Sequence, residues 1–284
     1  VVSAQVSSGT CALTRGPRFP VAKVSRMADE LVHYEVRRGI ATITLDSPHN
    51  RNALSSQLRR ELKEHLTAAS QDDQVRVVVL THTGSVFCSG MDLKEAAGAS
   101  AGDQGVNEFP AILEQLWTSP KPVVAALKGP ARAGGVGIVA ACDIAVAAHE
   151  ATFAFSEVRI GVVPAVISVT VLPRLLPRQA HELFLTGEAF DAHRAKEIGL
   201  LNAAVPVDGV DAEVRRYTDM LALGAPGALA ATKQMLQQER STNLGDVFAD
   251  MLELSAQHFG GPEGQEGIAA FKEKRKPSWV PAEG

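Results

Sequence analysis

Along residues 32–36 and 40–45, β-branched and apolar positions alternate with polar ones, and Arg37-Arg38-Gly39 interrupts them. A period of two on either side of a glycine turn predicts a β-hairpin. The period then lengthens: Leu58, Leu62 and Leu66 recur at four-residue spacing, with Arg59, Arg60, Lys63 and Glu64 placed outward and Ser55 or Ser56 available as a cap. That pattern predicts an amphipathic helix. Nearly unbroken apolar runs at 75–80, 123–127 and 144–148 read as buried strands, separated by helical or loop stretches that include a helix around 112–117. Strands alternating with helices make an α/β sheet the expected class. From about Asp208 the period is helical throughout, over 210–223, 227–238, 244–259 and 263–274. No internal repeat or low-complexity tract stands out.

Composition narrows the function classes. With 284 residues and 45% hydrophobic content the chain can bury a sizeable core. Its net charge of -4, with acids and bases interspersed, gives no broad basic field for nucleic acid or anionic membrane, and 272–276 is too short a basic run to change that. Cys11, Cys88 and Cys142 are odd in number and lack metal-ligand spacing, which suits a reducing cytoplasm. Without a neighbouring His or Lys, Cys88 is expected to be a small buried hydrophobe. Residues 1–26 carry Arg15, Arg18, Lys23 and Arg26 and no acid. They form neither a secretory signal nor a membrane span and are expected to be disordered, with Met27 as the start; an Arg-rich, acid-poor targeting peptide is the alternative.

Two small-residue stretches carry the candidate chemistry. Phe87-Cys88-Ser89-Gly90-Met91-Asp92-Leu93 and Gly129-Pro130-Ala131-Arg132-Ala133-Gly134-Gly135 each follow a predicted strand where it gives way to a helix. Two backbone N–H donors from different loops, aimed at one point, stabilise the charge that develops on a carbonyl or thioester oxygen. Taken singly, either stretch is also explained as a tight turn. The small, polar loop 98–105 is a candidate mobile lid or an ordinary surface loop.

In this order and with these neighbours, the stretches resemble the enoyl-CoA hydratase/isomerase, or crotonase, superfamily. The resemblance runs from about Leu31 to 271–276 and includes Ser47-Pro48-His49-Asn50-Arg51-Asn52-Ala53-Leu54, the Gly-Gly loop running into Cys142-Asp143-Ile144-Ala145, Glu157-Val158-Arg159-Ile160-Gly161, Leu185-Thr186-Gly187 and Ala195-Lys196-Glu197-Ile198-Gly199-Leu200. It implies a ββα spiral core over 27–207 and a helical trimerisation region over 208–284, in homotrimers or homohexamers.

It also implies an oxyanion hole from the N–H groups of Met91 and Gly134, with Glu157 exchanging a proton at the carbon α to the thioester. The apolar setting Phe153-Ala154-Phe155-Ser156 is expected to raise the Glu157 pKa. Contacts to CoA are implied for Asn50, Arg51, Ser89, Leu93 and Lys94, and for Lys274, possibly from a neighbouring subunit. Asp92 and Asp143 read as structural acceptors of backbone hydrogen bonds. Where hydratases of the superfamily carry a second glutamate, this chain has Gly137. A narrower resemblance, over 134–143 and 157–168, is to bacterial methylglutaconyl-CoA hydratases of leucine breakdown, which also lack it; their substrate brings its own carboxylate, and Arg132 is the candidate cation for it. The resemblance therefore implies a hydro-lyase acting on an acyl-CoA thioester without metal or redox cofactor. A single-glutamate double-bond isomerase and a noncatalytic acyl-CoA-binding relative are the alternatives.

Overall fold

The structure is a computed structural model that describes residues 30–96, 108–224, 226–238, 244–275 and 277. The expected segments 1–26 and 98–105 lie outside the described residues. Among the described residues nine strands run in chain order: β1 (Val32–Arg37), β2 (Ile40–Leu45), β3 (Val77–His82), β4 (Val123–Leu127), β5 (Ala131–Arg132), β6 (Ile144–Ala148), β7 (Thr152–Ala154), β8 (Phe190–Asp191) and β9 (Ala203–Val205). β1 and β2 form the expected antiparallel hairpin, turning at Arg38 and Gly39, both with positive φ. The larger sheet has the order β1-β2-β3-β4-β6-β9 and is parallel from β2 onward, while β5-β7-β8 forms a small second sheet. Parallel neighbours need crossovers, and helices supply most of them.

The helices are α1 (Ser56–Gln71), α2 (Leu93–Ala96), α3 (Phe109–Thr118), α4 (Gly134–Ala141), α5 (Ala165–Val171), α6 (Pro177–Thr186), α7 (Ala192–Glu197), α8 (Val210–Ala222), α9 (Pro226–Gln238), α10 (Leu244–Gly260) and α11 (Pro262–Glu273). Ser55 is the N-cap of α1, its hydroxyl accepting from the Leu58 N–H. Leu58, Leu62 and Leu66 face the core as expected. Arg59 corrects the expectation: it is not outward but 3% exposed, because its guanidinium donates to the Leu54 carbonyl at 2.5 Å and to Ser56 Oγ at 3.2 Å. Its Nε makes no hydrogen bond but lies 3.6 Å from the Glu108 carboxylate, and a buried cation is tolerable when it is paired in this way.

Two apolar clusters sandwich the larger sheet. One side gathers α1, α3, α4 and α5 around Ile43, Leu80 and Leu113. On the other, Val210 and Val214 of α8 cover Val77, Val124 and Val146. The C-terminal helices reach back to the same body: Lys233 of α9 donates to Asp143 Oδ2 at 2.7 Å and to the Leu116 carbonyl at 3.0 Å.

Candidate active site

The two small-residue loops meet. Cys88 and Ala131 pair in an isolated bridge, the Arg132 N–H donates to the Cys88 carbonyl at 2.9 Å, and the Phe87 N–H to the Pro130 carbonyl at 2.9 Å. Leu54, preceding α1, pairs with Met91 and donates its N–H to the Gly90 carbonyl at 2.8 Å. Asn52 braces this corner from beneath, accepting from the Ser47 N–H and donating to the carbonyls of Thr83 and Val86. Gly90 has φ +91°, and a methyl group there would sit 3.0 Å from Ala133 Cβ and 3.6 Å from the Gly134 nitrogen. Only glycine allows so close an approach in that conformation.

Ala133 carries the strain of this arrangement. Its φ of 47° and ψ of -118° lie where a side chain is rarely tolerated, at a cost of about 1–3 kcal/mol. It is held there because its N–H donates to the Ala154 carbonyl at 3.1 Å while its own carbonyl accepts from the Val136 and Gly137 N–H groups. Gly134 is the first residue of α4 and therefore has no acceptor within the helix. Among the described residues neither the Gly134 N–H nor the Met91 N–H has an acceptor. Two unpaired donors on touching loops are suited to polarising a carbonyl oxygen, and the N-terminal end of α4 adds favourable field.

The carboxylate of the site comes from the next turn of chain. β7 pairs with β5 in the register Ala131↔Phe153 and Arg132↔Ala154, and then runs into a 3-10 turn, Ser156–Ile160, that carries Glu157. Phe155 is fully buried against Phe184 and Phe190, at ring-centre distances of 4.4 and 5.8 Å. Glu157 Oε2 is buried and has no hydrogen-bond partner. Burial pushes its carboxyl from the ordinary 4.5 up to about 7, opposed only by its own N–H. The apolar setting expected from the sequence is thus realised. A group that titrates near neutrality suits reversible proton transfer.

Behind Glu157, α11 packs so closely that a methyl group at Gly267 would lie 1.9 Å from the Ile160 carbonyl oxygen. Val162, Phe259 and Ile268, with Leu93 and Ile160 against them, form a small apolar cluster that ties the Met91 loop and the Glu157 turn to α10 and α11. On α4, a methyl group at Gly137 would stand 2.7 Å from Ile167 Cγ2. The helix that elsewhere could present a second carboxylate is here backed by hydrocarbon.

Other predicted positions fall into three groups. Asn50, Arg51, Ser89, Leu93 and Lys94 lie together beside Met91: Asn50 Nδ2 donates to Asp92 Oδ2 at 3.4 Å, and the Ser89 N–H donates to the Arg51 carbonyl at 3.1 Å. Arg51 and Lys94 are exposed, and the Lys94 N–H donates to Asp92 Oδ1. Lys274 stands apart as the exposed C-cap of α11, with φ 54°. Arg132 is engaged across the small sheet, its guanidinium donating to the Ala131 and Thr152 carbonyls and to Thr152 Oγ1 at 2.7 Å. Asp92 and Asp143 accept backbone hydrogen bonds as expected, and burial pushes the Cys88 thiol up to about 12. Sequence reasoning did not find Ile167, the Gly267 contact or Arg59; a glycine inside a helical pattern is the one signal that marks Gly267.

The family model described as enoyl-CoA hydratase/isomerase matches residues 35–281. The chain belongs to this family. A crystal structure of an enoyl-CoA hydratase from Mycobacterium avium is 43% identical, with a TM-score of 0.80, over 89% of this chain and 100% of that one. Enoyl-CoA hydratase domain-containing protein 3, mitochondrial, of Xenopus laevis is 32% identical over 85% of this chain and 83% of its own length. A methylmalonyl CoA decarboxylase structure, at 24% identity and TM-score 0.76, shares the fold. The fold is thus the crotonase-type α/β spiral with C-terminal helices, and family membership supports hydratase activity on an acyl-CoA. Among the described residues no helix is long and apolar enough to cross a membrane.

Proposed function

We propose that the chain adds water reversibly across the α,β double bond of an enoyl-CoA that carries its own distal carboxylate, 3-methylglutaconyl-CoA being the best match. The observation that carries this is the carboxylate of Glu157, whose Oε2 is buried and has no hydrogen-bond partner among the described residues, on a turn joined through β7 and β5 to two unpaired N–H groups. The thioester oxygen accepts from Met91 and Gly134 as enolate charge builds. Water oxygen bonds to the β carbon, its proton passes to the substrate's distal carboxylate, and the enolate takes the Glu157 proton at the α carbon. The reverse direction begins with ionised Glu157 taking the α proton while the protonated distal carboxyl returns its proton to the departing hydroxyl. Asn50, Arg51, Ser89, Leu93 and Lys94 form the surface assigned to CoA, with Lys274 as a further cation for its phosphates. A trimer or hexamer in a reducing cytoplasm is the setting that goes with this reading.

A second reading, double-bond migration, is favoured by the filled space at Gly137: one carboxylate can remove a proton and return it without activating water. Turnover of 3-methylglutaconyl-CoA, crotonyl-CoA and a 3-enoyl-CoA by wild type and Glu157→Gln, followed by mass spectrometry, separates the two. Water gain on the branched substrate that the variant loses supports hydration; migration without mass change replaces it. For Arg132, whose guanidinium must leave Thr152 to reach a substrate carboxylate, Arg132→Ala raises the Michaelis constant for the dicarboxylate thioester. An unchanged constant removes Arg132 from the binding set.

A further inference from the structure

We infer that Ile167 is a specificity-determining residue of this site: its side chain occupies the volume beside the first turn of α4 where a water-activating carboxylate would stand. The inference rests on the single-carboxylate reading above and explains what enforces it.

The geometry is direct. Gly137 lies one turn into α4 from the Gly134 N–H, and all of α4 is buried. A Cβ at residue 137 would meet Ile167 Cγ2 at 2.7 Å, Ile167 Cβ at 3.1 Å and Ile167 Cα at 3.6 Å. The first distance is a clash, the second is tight, and only the third is ordinary contact. Ile167 itself is 3% exposed on α5, which follows the Glu157 turn within a few residues, so it has little room to retreat. Thr170 Oγ1 pins the two helices together by donating to the Gly137 carbonyl at 3.1 Å. α10 also packs on α5 and opposes its movement away from α4.

The consequence reaches beyond packing. A β-branched side chain has few rotamers in a helix, so Ile167 cannot swing aside as Leu or Met would. Among the described residues, the side of α4 toward which a side chain at residue 137 would project is therefore hydrocarbon, and no carboxylate stands there. On this reading Glu157 carries the proton transfer. A substrate must bring its own activating group, or must react by proton migration, and plain straight-chain enoyl thioesters are disfavoured for hydration.

Two linked experiments test this. The first reads packing only: Tm of wild type, Gly137→Ala, Ile167→Ala and the double variant. Gly137→Ala alone is expected to lower Tm by several degrees through overpacking, and Ile167→Ala alone through a cavity. The double variant is expected to recover part of the sum, because the clashing Cγ2 is gone. Additive losses overturn the steric coupling. The second reads specificity: Gly137→Glu, with and without Ile167→Gly, assayed for water addition to crotonyl-CoA relative to double-bond migration. The single variant is expected to be poorly folded. The double variant is expected to fold and to raise the ratio of hydration to migration on crotonyl-CoA and 3-enoyl-CoA at least tenfold over wild type. A folded double variant with an unchanged ratio overturns the specificity role. If wild type turns over no enoyl-CoA, the functional reading fails while the Tm cycle still decides the packing.

Discussion

Glu157→Gln offers the sharpest physical test of the site, because it removes a charge while keeping shape. The carboxyl is raised from 4.5 to about 7 by burial, and at ~1.4 kcal/mol per pKa unit this corresponds to a penalty of about 3 kcal/mol on the ionised form. The residue keeps some exposure although its Oε2 does not, so this figure is an upper value. The sign follows from linkage. The folded state holds the proton more tightly than the unfolded chain, so the group's contribution is fully present below pH 4.5 and is lost as pH rises through about 7. Wild type should therefore lose stability relative to Glu157→Gln between these values and run parallel to it above them. At roughly 2 °C per kcal/mol the difference in Tm should change by roughly 6 °C. Calorimetric scans of both proteins from acid to alkaline pH measure it. A difference that stays constant across the window refutes the buried, proton-holding carboxylate. Activity should follow the same proton: hydration needs it on Glu157 and dehydration needs it on the substrate's distal carboxylate, two forms of one protonation state, so kcat/KM in both directions should fall as pH rises through about 7.

Three further predictions test the frame around the site. Arg59→Met should cost about 1–3 kcal/mol by leaving the Leu54 carbonyl without its donor, and should lower kcat more than it raises KM because Leu54 pairs with Met91; denaturant titration and steady-state kinetics read the two effects. Lys233→Met should destabilise by about 3–5 kcal/mol, since Asp143 would be left in a largely buried position without its cation, and a urea titration of the double variant Lys233→Met/Asp143→Asn should recover much of that loss. Cys88 and Cys142, both buried with thiols pushed up to about 12, should resist alkylation in the native protein at pH 8 and react only on unfolding, as intact mass shows.

The sequence by itself determined what depends on neighbours along the chain. The alternation through 32–45 defined the hairpin, the four-residue spacing of Leu58, Leu62 and Leu66 defined the buried face of α1, and the small residues after β3 and β4 marked both loops. Glu157 was legible through the family resemblance, and its raised pKa through its apolar neighbours Phe153 to Phe155, which lie beside it in the chain. Tertiary structure decided everything that rests on distant partners. Arg59 looked solvated by its place on the helix wheel, yet it is held inside by the nearby Leu54 carbonyl and Ser56 hydroxyl together with the distant Glu108 carboxylate, 3.6 Å from its Nε. Gly137 reads as a missing carboxylate in the sequence, but only the approach of α5, thirty residues on, shows that Ile167 has taken its place. The unpaired Met91 and Gly134 donors are likewise invisible in composition. Whether an N–H lacks an acceptor is set by where the strained Ala133 and the Gly90 turn aim the backbone, and periodicity carries no information about that.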